Sequence, residues 1–223
     1  MIVRLGMAPR IDAFTCEEFQ AHWRSSHADV VSLLPGLRRY QQFHAVLEGG
    51  APLLDHPGFD ACSALRFDSL EDMDAAFAAP HFLEAVRADE AEFVDKSRFR
   101  GVVGSWRPDR DADLGEGGEI QVLTLLRAEP GTAPTELASR LADAEEGDAG
   151  GAIVADRDAH EGRFPVTADV VRVTGHQDVG SALAAAARAR AAAGAATVLG
   201  QHVARIVDVP PRAVDPRLEG TGA

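Results

Sequence analysis

The sequence predicts an α+β fold: two βαββαβ repeats packed sheet to sheet as one barrel within a single chain. Three observations predict it. The order strand, helix, strand, strand, helix, strand occurs twice in 223 residues. An acidic, glycine-rich stretch, Arg107–Gly118, separates the two runs. Each run would form a four-stranded sheet with both helices on one face, and the bare apolar face needs a second sheet against it.

The first run opens with the strand MIVRLGMA. Thr15, with Glu18 three residues on, makes a capping box and starts a helix running to about Leu34. Pro35-Gly36 stops it. Leu37–Leu47 is the second strand, 48–60 a loop and Ala61–Phe67 the third strand. Asp68-Ser69 precedes a helix over Leu70–Ala78, which Pro80 interrupts before a second helical run over His81–Val94. Arg100–Trp106 is the fourth strand. This is the split order of ferredoxin-like folds.

In the second run, Glu119–Arg127 is a strand and Pro134 opens a helix to about Glu146. Gly151–Asp156 and Thr167–Thr174 are strands around a polar loop, Val179–Ala193 is an alanine-rich helix and Val198–Val209 the last strand. The third strands, ACSALRFDS and TADVVRVTG, align without gaps and set Arg66 opposite Arg172; RFRGVVGSWRP and GQHVARIVDVP align likewise. The expected division is 1–108 for the first repeat, 109–118 for the linker, 119–211 for a degenerate second repeat and 212–223 for a flexible tail. Duplication then predicts a monomer with an internal pseudo-twofold, or a weak homodimer.

The net charge of −13 argues against nucleic acid and anionic membrane as partners. No apolar run of 18 residues exists to span a membrane, and the N-terminus reads as no secretory leader. Cys16 and Cys62 make no disulfide framework, which predicts a reduced, cytoplasmic setting. No metal-ligand spacing, phosphate loop or nucleophile elbow appears, so neither metal nor cofactor is expected.

The helix FQAHWRSSHA with its Trp-x3-His, the run LPGLRRYQQFHAV, then GFDACSALRFDSLEDM and DEAEFVD together resemble the EthD-domain family of the dimeric α+β barrel superfamily. The likeness covers about Arg4 to Trp106; the second run shares only the pattern. The resemblance implies a pocket between sheet and helices for ring-shaped apolar ligands. Superfamily chemistries run from isomerases and polyketide cyclases to cofactor-free monooxygenases and haem-handling enzymes. The family tends to carry an acidic residue near Ala64 and an aromatic near Arg66, and this chain departs at both.

Phe19, Trp23 and His27 recur at four-residue spacing and share one helix face. His27 is the first candidate for proton transfer; the alternative is a structural histidine bonded to a carbonyl. His44 shares a strand face with Tyr40 and Gln42. If that face meets the first helix, His27, His44 and Tyr40 line one cavity as base, acid and oxyanion donor; otherwise His44 faces solvent. Trp23 reads as core or ligand wall, Phe19 as core, Gln42 as a substrate-orienting group. Arg66 would bind an anionic ring substituent or form a barrel-edge salt bridge. His81 is a further pocket candidate. His22 is expected exposed, Asp89 and Asp95 as surface charges or caps, Cys16 as inert. In the second repeat Leu141 stands opposite Trp23 and Glu145 opposite His27, so chemistry is expected once per chain.

The predicted function is a cofactor-free enzyme acting by histidine acid/base chemistry on a cyclic or polyketide-like small molecule: isomerisation, cyclisation, dehydration, decarboxylation or oxygenation. The alternatives are a haem-binding barrel, with His27, His44 or His81 as axial ligand, and a non-catalytic ligand-binding protein.

Overall fold

The computed structural model describes residues 1–109, 111–144, 149–161 and 163–212. Strand β1 (Ile2–Ala8) shows how the barrel begins: Val3, Leu5 and Met7 turn to one side and are buried, while Arg4 and Gly6 turn to the other. The remaining strands are β2 (Arg39–Ala45), β3 (Leu47–Glu48), β4 (Ala51–Pro52), β5 (Ala61–Phe67), β6 (Arg100–Pro108), β7 (Ile120–Arg127), β8 (Ala149–Ala155), β9 (Val170–His176) and β10 (Thr197–Val209). The pair β3–β4 is a small hairpin inside the stretch expected to be loop.

The other eight strands close into a barrel in the order β1-β5-β2-β10-β7-β9-β8-β6, antiparallel throughout. Each run supplies one ferredoxin-like sheet, β6-β1-β5-β2 and β10-β7-β9-β8. They join along β2–β10 and β6–β8, so neither keeps a free edge. Side chains such as Leu5, Phe43, Val102, Leu123, Ile153 and Val173 fill the interior. The helices lie outside.

Helix α1 (Cys16–His22) carries the expected capping box between Thr15 and Glu18. It then widens through a π-helical turn, Trp23–His27, and resumes as α2 (Ala28–Val31). Gly36, at φ +70°, follows the helix end. Helix α3 (Leu70–Ala78) is followed by a second wide turn, Phe82–Val86, and α4 (Arg87–Phe93). The second run adds α5 (Pro134–Ala144), α6 (Arg157–His160) and α7 (Val179–Ala192). Glu145 and residues 213–223 lie outside the described residues.

Two expectations change. The glycine-rich stretch does more than connect: Leu114 is fully buried in the barrel core, and the Asp113 carboxylate takes hydrogen bonds from Arg66 at 2.6 Å and Arg39 at 2.7 Å. The gap-free alignment of the third strands also fails. Val171 and Val173, flanking Arg172, face the barrel interior, so Arg172 faces the helices. Arg66 faces inward beside Leu114. The residue opposite Leu5 is Ala64 and the one opposite Leu123 is Val173, which makes Ser63, not Arg66, the counterpart of Arg172.

The loop between β8 and β9 crosses to the first repeat. Asp156 N–H donates to Val103 O at 2.9 Å. His160 accepts the Val103 N–H on Nε2 at 3.0 Å and donates from Nδ1 to Phe164 O at 3.2 Å.

Candidate active site

The site is built on the wide turn after α1. Such turns are frequent where function needs a displaced side chain. Phe19, Trp23 and His27 all point at the sheet and all are buried. Facing them across the gap is α4, whose Phe93 packs against Phe19, His22 and His27 with ring centroids 5.1, 4.5 and 5.2 Å away.

Asp89 lies one turn before Phe93 on the same face, between two histidines. Its Oδ2 is 2.7 Å from His27 Nδ1 and its Oδ1 is 2.8 Å from His22 Nε2. Burial would raise this carboxyl, but the hydrogen bonds from His27 and His22 outweigh it and hold the group below its usual value. An ionised carboxylate only accepts, so both facing ring nitrogens carry hydrogen. His27 in its neutral form therefore presents a lone pair at Nε2, and His27 lines the adjoining cavity.

On β2 a second polar chain runs along the sheet. His44 Nε2 donates to Gln42 Oε1 at 2.8 Å. The Gln42 amide donates to Trp23 O at 2.8 Å and to Tyr40 Oη at 2.7 Å. Trp23 lies across His44, ring centroids 4.4 Å apart. Burial, helped by Arg24 and His202, lowers the His44 pKa to about 3, so the ring is neutral; its Nδ1 has no partner among the described residues. Burial pushes the Tyr40 phenol well above its ordinary value, against hydrogen bonds from Gln42 and Trp23. Tyr40 stays protonated with its oxygen accepting, which leaves its O–H proton for a ligand.

Tyr40, Trp23 and His27 share an inner cavity of about 30 Å³ with Arg4, Ser63 and Glu90. An outer cleft of about 530 Å³ adjoins it; Arg4, Phe77, Phe82 and Phe99 line both. The Arg4 guanidinium sits 4.3 Å from the Phe77 ring centroid. Burial lowers its pKa to about 10 against the pull of Glu90, so it remains charged at neutral pH. Phe164 and Arg163, from the second run, complete the outer wall.

Residues 12–97 match the EthD domain model. The Trp23–His27 turn, β2 and Asp89 all fall inside that segment. No curated protein matches the chain. Among solved structures, a provisionally named chlorite dismutase covers 94% of this chain and 96% of its own, at 11% identity and a TM-score of 0.55. A provisionally named monooxygenase from Fusobacterium nucleatum covers 93% of this chain and 92% of its own, at 10% identity and a TM-score of 0.51. An ethyl tert-butyl ether D family protein from Bacillus halodurans covers 47% of this chain and 98% of its own, at 19% identity and a TM-score of 0.37. The first two share the fold of the whole barrel.

Within the EthD segment the expected site residues separate into groups. His27, Tyr40 and Trp23 border the cavity; His44 does not, because Trp23 covers it. Gln42 is internal, linking His44 to Tyr40, and Phe19 is core. Arg66 lies on the other face of the sheet with Asp113, away from the helix-side cavity. His81 Nε2 bonds Val30 O at 2.7 Å and braces the two helical layers. His22 is half-buried rather than exposed, and Asp89 is an interior partner rather than a surface charge.

Of the three histidines considered as axial ligands, His44 is covered by Trp23, His81 bonds Val30 O, and His27 borders the inner cavity. Among the described residues no cluster of three metal-ligating side chains occurs, and no helix is long and apolar enough to cross a membrane.

Sequence reasoning missed Arg4 and Glu90 and assigned Asp89 to the surface, where the structure sets it between His22 and His27. Arg4 was legible from period two in β1, which places it opposite the Val3–Leu5–Met7 face. Asp89 was legible from its four-residue spacing to the buried Phe93.

Proposed function

We propose that the first repeat is a cofactor-free acid/base site acting on a cyclic small molecule. The observation that carries this reading is the Asp89–His27 pair: an ionised carboxylate fixes Nδ1–H and leaves Nε2 as a base at the cavity wall. His27 removes a proton from a carbon next to a carbonyl, or from a phenol. The negative charge that develops on the substrate oxygen is met by the Tyr40 O–H, a donor already in place at the cavity. Returning the proton from His27 to a different carbon gives isomerisation. Delivering it to a departing hydroxyl gives dehydration, with water as the leaving molecule. An oxygenation would start from the same deprotonation, with dioxygen as co-substrate. His44 takes no proton in this scheme; it is neutral and supports Gln42, which orients Tyr40.

The test supplies bicyclic phenols and cyclic ketones without added cofactor, under air and under nitrogen, with products followed by mass spectrometry. Wild type converts a member of the panel, and His27→Gln slows it by about 10²- to 10⁴-fold. His44→Gln slows it far less. Conversion unchanged in His27→Gln would refute the assignment.

A further inference from the structure

The outer cleft gathers cations within an acidic chain. The chain has a net charge of −13, yet Arg4, Arg87, Lys96 and Arg163 all line this one cleft. Two of these cations are matched locally. Arg163 Nε donates to Asp74 Oδ1 at 2.8 Å, and Lys96 reaches Glu90 at 2.5 Å. Arg4 and Arg87 have no carboxylate within ion-pair reach among the described residues.

Both unmatched guanidiniums are instead held over rings. Arg4 stands 4.3, 5.6 and 5.7 Å from the Phe77, Phe99 and Phe164 centroids, and Arg87 stands 5.5 Å from that of Phe82. A ring face satisfies none of a guanidinium's five N–H donors. The Arg4 donors find no protein acceptor among the described residues, and none of its nitrogens is sealed from the cleft. Rings that hold a cation this way also offer faces to a flat ligand. At about 530 Å³ the cleft has the size of an ordinary small-molecule site.

We propose that this cleft binds a planar aromatic carboxylate of bicyclic size, its charge on Arg4 and Arg87 and its ring against Phe77, Phe99 and Phe164. The inference rests on the acid/base reading for its orientation only: Arg4 lines both spaces, so a ligand anchored there extends toward Tyr40 and His27. The second repeat becomes part of the site, because Phe164 and Arg163 form its outer wall and His160 pins that wall to β6.

Calorimetric titration of the full chain with 1-naphthoate and its neutral isostere 1-naphthamide tests this. Naphthoate binds at least tenfold tighter than naphthamide. Arg4→Met and Arg87→Met each weaken naphthoate about tenfold or more and leave naphthamide unchanged; Arg87 is exposed, so its variant folds even if Arg4→Met does not. Equal affinity for the two probes, no binding of either, or an unchanged naphthoate affinity in Arg87→Met overturns the proposal. The titration reads binding without turnover, so failure of the acid/base reading is told apart from failure of the cleft.

Discussion

At the scale of single residues, the buried histidines divide by what faces them. His27 and His22 face a carboxylate, whereas His44 and His202 face an amide and a backbone carbonyl in apolar surroundings. Burial first, with nearby positive groups adding, lowers His44 from 6.5 to about 3; burial lowers His202 from 6.5 to about 4. The sign follows from which state binds protons. Below pH 6.5 the unfolded chain protonates these rings and the folded chain does not, so stability falls as pH drops from 6.5 toward 4. Each ring contributes a slope of up to about 1.4 kcal/mol per pH unit. Carboxylates held low by partners, such as Asp89 and Asp113, lose their contribution only near pH 4 and below. Urea unfolding at pH 7, 5.5 and 4.5 reads this directly: wild type weakens across that window and His202→Gln weakens less. A flat profile in wild type would mean these rings are hydrated and charged in the fold.

At the scale of elements, the wide turn Trp23–His27 and β2 decide the site together. Trp23 does two jobs, covering His44 and walling the cavity. Its truncation to Ala costs about 3–5 kcal/mol for a buried indole and uncovers His44 to solvent. Urea unfolding of Trp23→Ala is expected to show that loss; a change under 1 kcal/mol would place Trp23 outside the packed layer. The helix start was readable because capping is a local rule: Thr15 and Glu18 satisfy orphan N–H groups with residues three apart. The strands and the Pro35-Gly36 stop were readable for the same reason. The site was readable only in part. Spacing placed Phe19, Trp23 and His27 on one face, and alternation placed Tyr40, Gln42 and His44 on another. Spacing along one element says nothing of what a distant element brings, and Asp89 arrives from a helix more than sixty residues away. Arg66 makes a salt bridge, the alternative the sequence offered for it, whereas its pairing with Arg172 fails because the two arginines face opposite sides of the barrel wall.

At the scale of the whole molecule, two seams make one barrel from two repeats, and the β6–β8 seam depends on close backbone approach. A Cβ on Gly104 would sit 2.0 Å from Val154 O, at the point where β6 passes from β1 to β8. Gly104→Val is therefore expected to open the β6–β8 seam. Residues 1–108 expressed alone would expose β2 and β6 as free edges; size-exclusion chromatography should find a dimer or an aggregate, and a stable monomer would show that the second repeat is dispensable for closure. The repeats are alike in order but not in chemistry. Where the first repeat opens a cavity before His27, the second packs Leu137 and Leu141 against Leu126 and Val154. The most direct test of a single acid/base site fed by the cationic cleft is deuterium uptake at the carbon beside the carbonyl of a tetralone carboxylate in D₂O, followed by NMR. Wild type should exchange that position about 10²-fold or more faster than His27→Gln, with Arg4→Met slowed through weaker binding; exchange at the same rate in wild type and His27→Gln would contradict the account.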